Sequence, residues 1–259
     1  MTPVPDHERA RMRERPTERP IMRQIWRHLG FLHWPIAADA IARVLPSGLE
    51  VDTFDGVAYL GIVPFTIPLT RAAGWPRAPL APAFHELNLR TYVHRGGREP
   101  GVWFFSLDAA SRLAVAGARV AYHLPYFHAA IAMDVAGGGE GAGGDGGGLE
   151  IAYRSRRTSI TADAHFAGRY RPAGQVAPAE AGTLELFLAE RYLLYAWTGR
   201  KLRSARVFHA PYPLQPAVAT DVQQTLIAAA GLPVATDAPP LVHYAREVDV
   251  QIYRPRACG

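Results

Sequence analysis

The sequence predicts an α+β protein built on a highly curved, mainly antiparallel β-sheet with flanking helices. Three observations carry that expectation. Many short β-rich runs are separated by turn residues, only three or four stretches have helical spacing, and residues 86–93 alternate strictly between polar and apolar. In the last run Glu86, Asn88, Arg90 and Tyr92 fall on one face and Leu87, Leu89, Thr91 and Val93 on the other.

Element by element, the first 27 residues hold Arg9, Arg11, Arg13, Arg15, Arg19, Arg23 and Arg27 against Asp6, Glu8, Glu14 and Glu18, so 7 − 4 = +3. Prolines break this mixed-sign run, and residues 1–20 are expected as a disordered basic leader. Ile21–Ile36 predicts a strand ending near Trp34-Pro35. Ala37–Leu45 predicts a helix stopped by Pro46-Ser47-Gly48. Leu49–Thr53 and Val57–Phe65 predict a hairpin turning at Asp55-Gly56, with Pro64 and Pro68 ending its second strand and a loop over 71–83.

After the 84–93 strand come a turn at Arg95–Pro100, a strand at Val102–Leu107 and a short helix at Ser111–Gly117 capped by Asp108. Arg119–His123 and Ala129–Val135 read as strands interrupted at Pro125. Residues 137–148 hold nine glycines. No Gly-Lys-Ser/Thr follows them, so a phosphate loop is excluded and a flexible connection is expected. Leu149–Tyr153 and Ser159–Phe166 are read as paired strands, Ala179–Leu194 and Thr220–Ala230 as helices, and Arg203–His209 and Val242–Tyr253 as strands. No repeat or internal linker is apparent, so residues 21–259 are expected to form one domain.

Composition bounds the function. Hydrophobic residues make up 49% and charged residues 20%, the profile of a soluble globular chain. No apolar run is long enough to span a membrane and no secretory signal is read, so no membrane association is expected. Cys258 is the single cysteine; no disulfide forms and a cytoplasmic location follows. The charge of +5 does not point to nucleic acid, because the 232 residues after Arg27 carry only +2. The histidines show no zinc-binding spacing, and Gly-x-Ser-x-Gly is absent; no metal, nucleotide or other cofactor is expected. Homo-oligomerisation is left open.

Several segments resemble a known family. Phe31-Leu32-His33-Trp34, Leu45-Pro46-Ser47-Gly48-Leu49, Asp55-Gly56-Val57-Ala58-Tyr59-Leu60-Gly61 and Val63-Pro64-Phe65 are among them. So are the strand from Glu86 to Val93, Gly101–Ala109, Tyr122-His123-Leu124-Pro125-Tyr126, Glu190-Arg191-Tyr192 and His209–Leu214. Together they resemble the YqjF-like proteins, domain of unknown function 2071, over about residues 21–253. That family is similar in turn to acetoacetate decarboxylase. The resemblance implies a sheet curled into a cone or barrel-like shape around a buried site.

The decarboxylase carries its reactive lysine in a Phe-Pro-Lys-Lys segment, with a glutamate on a preceding strand. Here Leu124-Pro125-Tyr126-Phe127 stands in that place and Glu86 resembles the strand glutamate. Schiff-base chemistry needs a primary amine. Tyr126 and Phe127 cannot supply one, and Lys201, the only lysine, lies in an arginine-flanked turn that reads as surface. The lysine mechanism is therefore rejected.

Two readings remain. In the first, Arg90 holds a carboxylate or enolate and Glu86 moves a proton, with Asn88, Tyr92 and Tyr126 binding a small organic acid or ketone. In the second, the same pocket belongs to a non-catalytic binding or sensing protein. Buried structural networks explain the same residues equally well, and Arg191 is read as reaching a sheet carboxylate in a structural ion pair. The helices at 37–45 and 184–194 are expected to cover Leu87, Leu89 and Val93. That leaves Glu86, Asn88, Arg90 and Tyr126 in one interior cavity, with Arg90 beside Glu86.

Overall fold

Two fifteen-residue strands, β1 (Met22–Ile36) and β3 (Ala58–Ala72), run antiparallel through the middle of the molecule. The computed structural model describes residues 3–74, 79–137, 148–158, 163–233 and 240–259. The glycine-rich run and the start of the expected 159–166 strand lie largely outside them.

Before β1 comes helix α1 (Asp6–Arg13), and before β3 come α2 (Ala38–Ala42) and the short β2 (Glu50–Val51). Then follow β4 (Phe84–Arg95), β5 (Arg98–Ala109), α3 (Arg112–Tyr122), β6 (Tyr126–Ala136), β7 (Glu150–Arg157) and β8 (His165–Pro172). The chain continues with α4 (Leu184–Ala189), β9 (Leu193–Trp197), β10 (Leu202–His209), β11 (Leu214–Gln224), α5 (Leu226–Ala229), β12 (Leu241–Ile252) and β13 (Arg256–Ala257). All these strands belong to one curved, mostly antiparallel sheet; β5 pairs parallel with β6 and with β9.

The pairings place β12, β1, β3, β4 and β5 side by side, and from β5 they return to β12 by two routes. One route passes through β9 and β10. The other passes through β6, β7, β8 and β11. Each route closes over one face of the shared strands, and each encloses a core. Phe31, Val63, Phe65, Tyr92, Leu107, Phe187 and Val250 pack on the β9–β10 side. Leu32, Ile62, Leu87, Leu89, Tyr153, Phe166 and Tyr244 pack on the other. This is why β4 is buried on both faces: its odd residues serve one core and its even residues the other.

Several local expectations change. Residues 6–13, expected as part of a disordered leader, form α1. Met12 is buried in a third apolar cluster, and Arg9 grips Asp52 through both guanidinium nitrogens at 2.7 and 2.8 Å. Asp55 and Gly56 do turn the chain, both at positive φ, but β2 pairs with β4 rather than with β3. Strand β3 runs through Pro64 and Pro68. Both prolines sit where the β1–β3 register shifts, so their missing N–H groups fall at interruptions of that ladder.

Helix α3 extends through Arg119–Tyr122, which had read as a strand. Its cap is Ser111, whose Oγ accepts from the Ala114 N–H at 3.2 Å, and not Asp108. Helix α4 stops at Ala189 because Leu193, Tyr195 and Ala196 are buried as strand β9. Tertiary burial overrides helical spacing there. Over 220–230, β11 runs on to Gln224 and leaves α5 only four residues. No helix among the described residues is long and apolar enough to cross a membrane.

Candidate functional site

The polar face of β4 looks into the core enclosed by β9 and β10. Glu86 lies between Phe65 of β3 and Ala109 of β5, Asn88 between Val63 and Leu107, and Arg90 between Gly61 and Phe104. The apolar face is covered by Tyr153 and Phe166 of β7 and β8, and by Ile41 and Ile227 of α2 and α5. Helix α4 packs on the opposite, polar face, where Phe187 meets Tyr92 at 5.1 Å between ring centroids. The expectation that the 184–194 helix covers Leu87 and Leu89 is thus corrected; strands of the second route do most of that work.

Glu86 is buried, and its Oε2 accepts a hydrogen bond from the Tyr126 hydroxyl at 3.0 Å. Tyr126 arrives there because β6 pairs with β5 at Leu107, which is itself opposite Asn88. The Tyr153 hydroxyl holds the backbone of the same residue by donating to the Glu86 carbonyl at 2.8 Å. Burial pushes the Glu86 carboxyl up to about 8; the Tyr126 bond opposes the rise and nearby Asp108 adds to it. Burial, helped by the neighbouring carboxylate, also raises the Tyr126 phenol well above its usual value. Near neutral pH the pair is therefore a protonated acid beside a protonated phenol.

Asp108, on the other face of the sheet, accepts from Arg157 Nε at 2.9 and 3.1 Å, and its carboxyl is pushed up to about 6 by burial against the opposing pull of Arg157. The Arg157 guanidinium stacks 4.0 Å from the Phe127 ring centroid. The Asp108–Arg157 pair was not found from sequence, because nothing in the local pattern links residues 49 positions apart.

Arg90 does not pair with Glu86. Its Nη2 donates to the Leu188 carbonyl at 3.0 Å, and the Tyr92 hydroxyl donates to the same oxygen at 2.6 Å. Tyr92 Oη also lies 2.6 Å from His33 Nε2. Since the one phenolic hydrogen goes to Leu188, His33 Nε2 is the donor of that contact and Nδ1 is left bare. Burial, reinforced by the Arg90 charge, holds the His33 imidazole neutral, well below its usual range. The Arg90 guanidinium lies 5.6 Å from the Phe31 ring centroid and 5.7 Å from that of Tyr92.

Room for this cluster comes from Gly61. A Cβ there would stand 3.0 Å from the His33 ring and 3.4 Å from Arg90 Cγ. Arg90 Nε, Asn88 Oδ1 and His33 Nδ1 are buried without hydrogen-bond partners among the described residues.

Other buried arginines differ. Arg191 donates to Asp52 Oδ2 at 2.7 Å, an ion pair as expected, but with a carboxylate just past the end of β2 rather than on a strand, and Asp52 also takes both bonds from Arg9. Among the described residues Arg90 makes no salt bridge. Lys201 is exposed.

The structure therefore links Glu86 to Tyr126 and Arg90 to Tyr92, with Asn88 between the two groups. It does not show one cavity joining all five. A surface cleft of about 700 Å³ lies elsewhere, lined by Arg11, Glu50, Arg95, Arg98 and Glu99 among others. His33 and the Leu188 carbonyl were not singled out from sequence as site groups. His33 stood inside a quoted family segment, and a backbone carbonyl leaves no sequence signal.

The mostly antiparallel, curved sheet is an acetoacetate decarboxylase-like fold. The acetoacetate decarboxylase of Legionella pneumophila subsp. pneumophila str. Philadelphia 1 superposes with a TM-score of 0.62 at 12% identity, covering 100% of this chain and 96% of that one. The enduracididine biosynthesis enzyme MppR, complexed with pyruvate, superposes with a TM-score of 0.62 at 14% identity over 94% and 93%. At the sequence level the chain belongs to the family of domain of unknown function 2071, described as an uncharacterized conserved protein, whose model matches residues 23–249. It is 41% identical over 230 residues to the uncharacterized protein YqjF of Bacillus subtilis (strain 168), covering 89% of each chain.

Proposed function

We propose that this protein binds a small oxo- or hydroxy-acid on the polar face of β4 and moves a proton on it without lysine chemistry. One observation carries the reading: among the described residues Arg90 is buried with no carboxylate partner, four residues along the same strand from a buried carboxyl group that burial pushes up to about 8. A buried unpaired ion costs several kcal/mol, so an arriving carboxylate supplies the charge that Arg90 lacks. Glu86 would then serve as acid towards a carbonyl or enolate oxygen, or as base towards the carbon beside it once deprotonated above about pH 8. Tyr126 steadies either form by donating to it. Pyruvate in the MppR complex is a 2-oxo acid of the proposed class.

A second reading is a non-catalytic sensor. Arg90 and Tyr92 share the Leu188 carbonyl at the end of α4, so an anion that drew Arg90 away would release one of the two side-chain bonds to that carbonyl.

Proton exchange separates the two. With a 2-oxo acid in D2O, the catalytic reading predicts exchange of the protons beside the carbonyl, rising through pH 8 and lost in Glu86→Gln. Acid-dependent thermal stabilisation without exchange supports the sensor. Neither exchange nor stabilisation by any carboxylate would remove both readings.

A further inference from the structure

Strand β6 carries two consecutive residues into two different cores. Tyr126 pairs with Leu107 of β5 and reaches Glu86 on the β9–β10 side. Phe127 pairs with Asp108 and lies against the Arg157 guanidinium on the other side. Asp108 stands opposite Leu87, and its neighbour Ala109 stands opposite Glu86. The carboxyl groups of Glu86 and Asp108 are therefore back to back across one β4–β5 pairing, on opposite faces and on the order of 10 Å apart. The sheet between them is closed to solvent: Leu87 keeps 1% of its surface, and Asp108 and Ala109 keep 0%.

Stability does not require an ion pair at this place. The core on that side is built from residues such as Leu87, Tyr153 and Phe166, and a well-packed apolar pair commonly serves a core as well as a buried salt bridge. What the pair supplies, and apolar residues would not, is a fixed negative charge behind Glu86. Its counter-charge comes from farther off, because Arg157 belongs to β7, two strands beyond β5 in the sheet. The other titratable groups facing Glu86 carry no opposing charge. Tyr126 of β6 and Tyr153 of β7 are phenols that burial raises well above their usual range, and Tyr122 of α3, beside Tyr126, is pushed up to about 12. Arg90, on β4 itself, is turned to the Leu188 carbonyl.

We infer that Asp108 and Arg157 are positioning residues for Glu86: the carboxylate at the back of the β4–β5 pair keeps the Glu86 carboxyl in its proton-donating form near neutral pH, and Arg157 keeps Asp108 ionised so that it can. This rests on the reading of Glu86 as the group that moves a proton. The two carboxyls then lose their protons in order. Asp108 goes first, pushed up by burial to about 6 against the pull of Arg157, and Glu86 follows at about 8. Between those values one is charged and the other is not, the behaviour of a carboxyl pair whose two environments differ.

The test follows the infrared band of the protonated Glu86 carboxyl against pH, assigned by its loss in Glu86→Gln. In Asp108→Asn the midpoint should fall by about one pH unit, roughly tenfold in proton affinity, as expected for a unit charge at that distance and an effective dielectric of about 20. The double variant Asp108→Asn with Arg157→Met removes both charges, so its midpoint should lie between that of the single variant and the wild type. Structural damage alone would put the double variant further from the wild type than the single one. An unchanged midpoint in Asp108→Asn, or a double variant displaced at least as far as the single, overturns the proposal. Where the single variant does not fold, the double variant decides: a lowered midpoint supports the proposal and an unchanged one overturns it. A wild-type Glu86 that titrates near its ordinary 4.5 removes the acid role of Glu86 and this proposal together. The predicted shifts without any exchange on an oxo-acid would leave the tuning standing while the proposed reaction falls.

Discussion

The Tyr126 hydroxyl donates to Glu86 Oε2 over 3.0 Å, joining two residues forty positions apart on strands that are not themselves paired. The bond places the Glu86 carboxyl against β6 rather than against Arg90. It also ties the chemistry of the site to a titration that can be followed.

Folded Glu86 holds its proton up to about pH 8, while in the unfolded chain it ionises near its ordinary 4.5. Between those values the native state binds more protons than the unfolded state, so stability falls as pH rises across the window. The full loss is on the order of 5 kcal/mol. Glu86→Gln keeps an acceptor for Tyr126 and removes the titration, so its urea-unfolding free energy should change far less between pH 5 and 8. Equal slopes in the two proteins would show that Glu86 is not protonated in the fold.

Removing the phenol should shift that window. The Tyr126 bond favours the ionised form of Glu86, so Tyr126→Phe is expected to raise the carboxyl further above its present value of about 8. Infrared spectra can follow the band of a protonated carboxyl, assigned by its loss in Glu86→Gln. In Tyr126→Phe the band should persist to higher pH. A downward move would mean that the hydroxyl does not stabilise the carboxylate.

Gly61 leaves space that the Arg90 cluster uses. Gly61→Ala places a methyl group 3.0 Å from the His33 ring, between two strands with no freedom to part. The expected loss is about 1–3 kcal/mol of stability, as for other overpacked cores. An unchanged unfolding midpoint would show that His33 can move aside.

Asp52 answers both Arg191 and Arg9. Asp52→Asn should cost about 3–5 kcal/mol, because it strands the buried Arg191 charge. Arg9→Ala should cost less and act locally, freeing α1 so that limited proteolysis cuts within residues 6–13. Equal costs for the two would place the weight of the network on α1 instead.

The two-faced strand at 86–93 was legible because period-two alternation survives in the sequence whatever covers each face. Two closing routes buried both faces, so the alternation separated two cores rather than core from solvent. Glu86 and Tyr126 came together as the family resemblance implied. The Glu86–Arg90 pair did not form, since strand spacing says how far apart two residues sit but not which carbonyl draws a guanidinium away. The helix over 179–194 was misread beyond Ala189 because Leu193, Leu194 and Tyr195 suit a buried strand as well as a helix face. α1 was missed because its charges find partners, Asp52 and the carboxyl of Glu8, that composition alone cannot reveal.

The central claim is that Arg90 is kept for an anion and not for the fold. Denaturant unfolding of Arg90→Met tests it most directly, since methionine keeps the apolar stem beside Phe31 and removes the buried charge. The account predicts stability within about 1 kcal/mol of the wild type, or higher, because replacing an unpaired buried ion with an apolar side chain relieves its desolvation cost. A loss of more than about 3 kcal/mol would contradict it and make Arg90 a structural residue anchored on the Leu188 carbonyl.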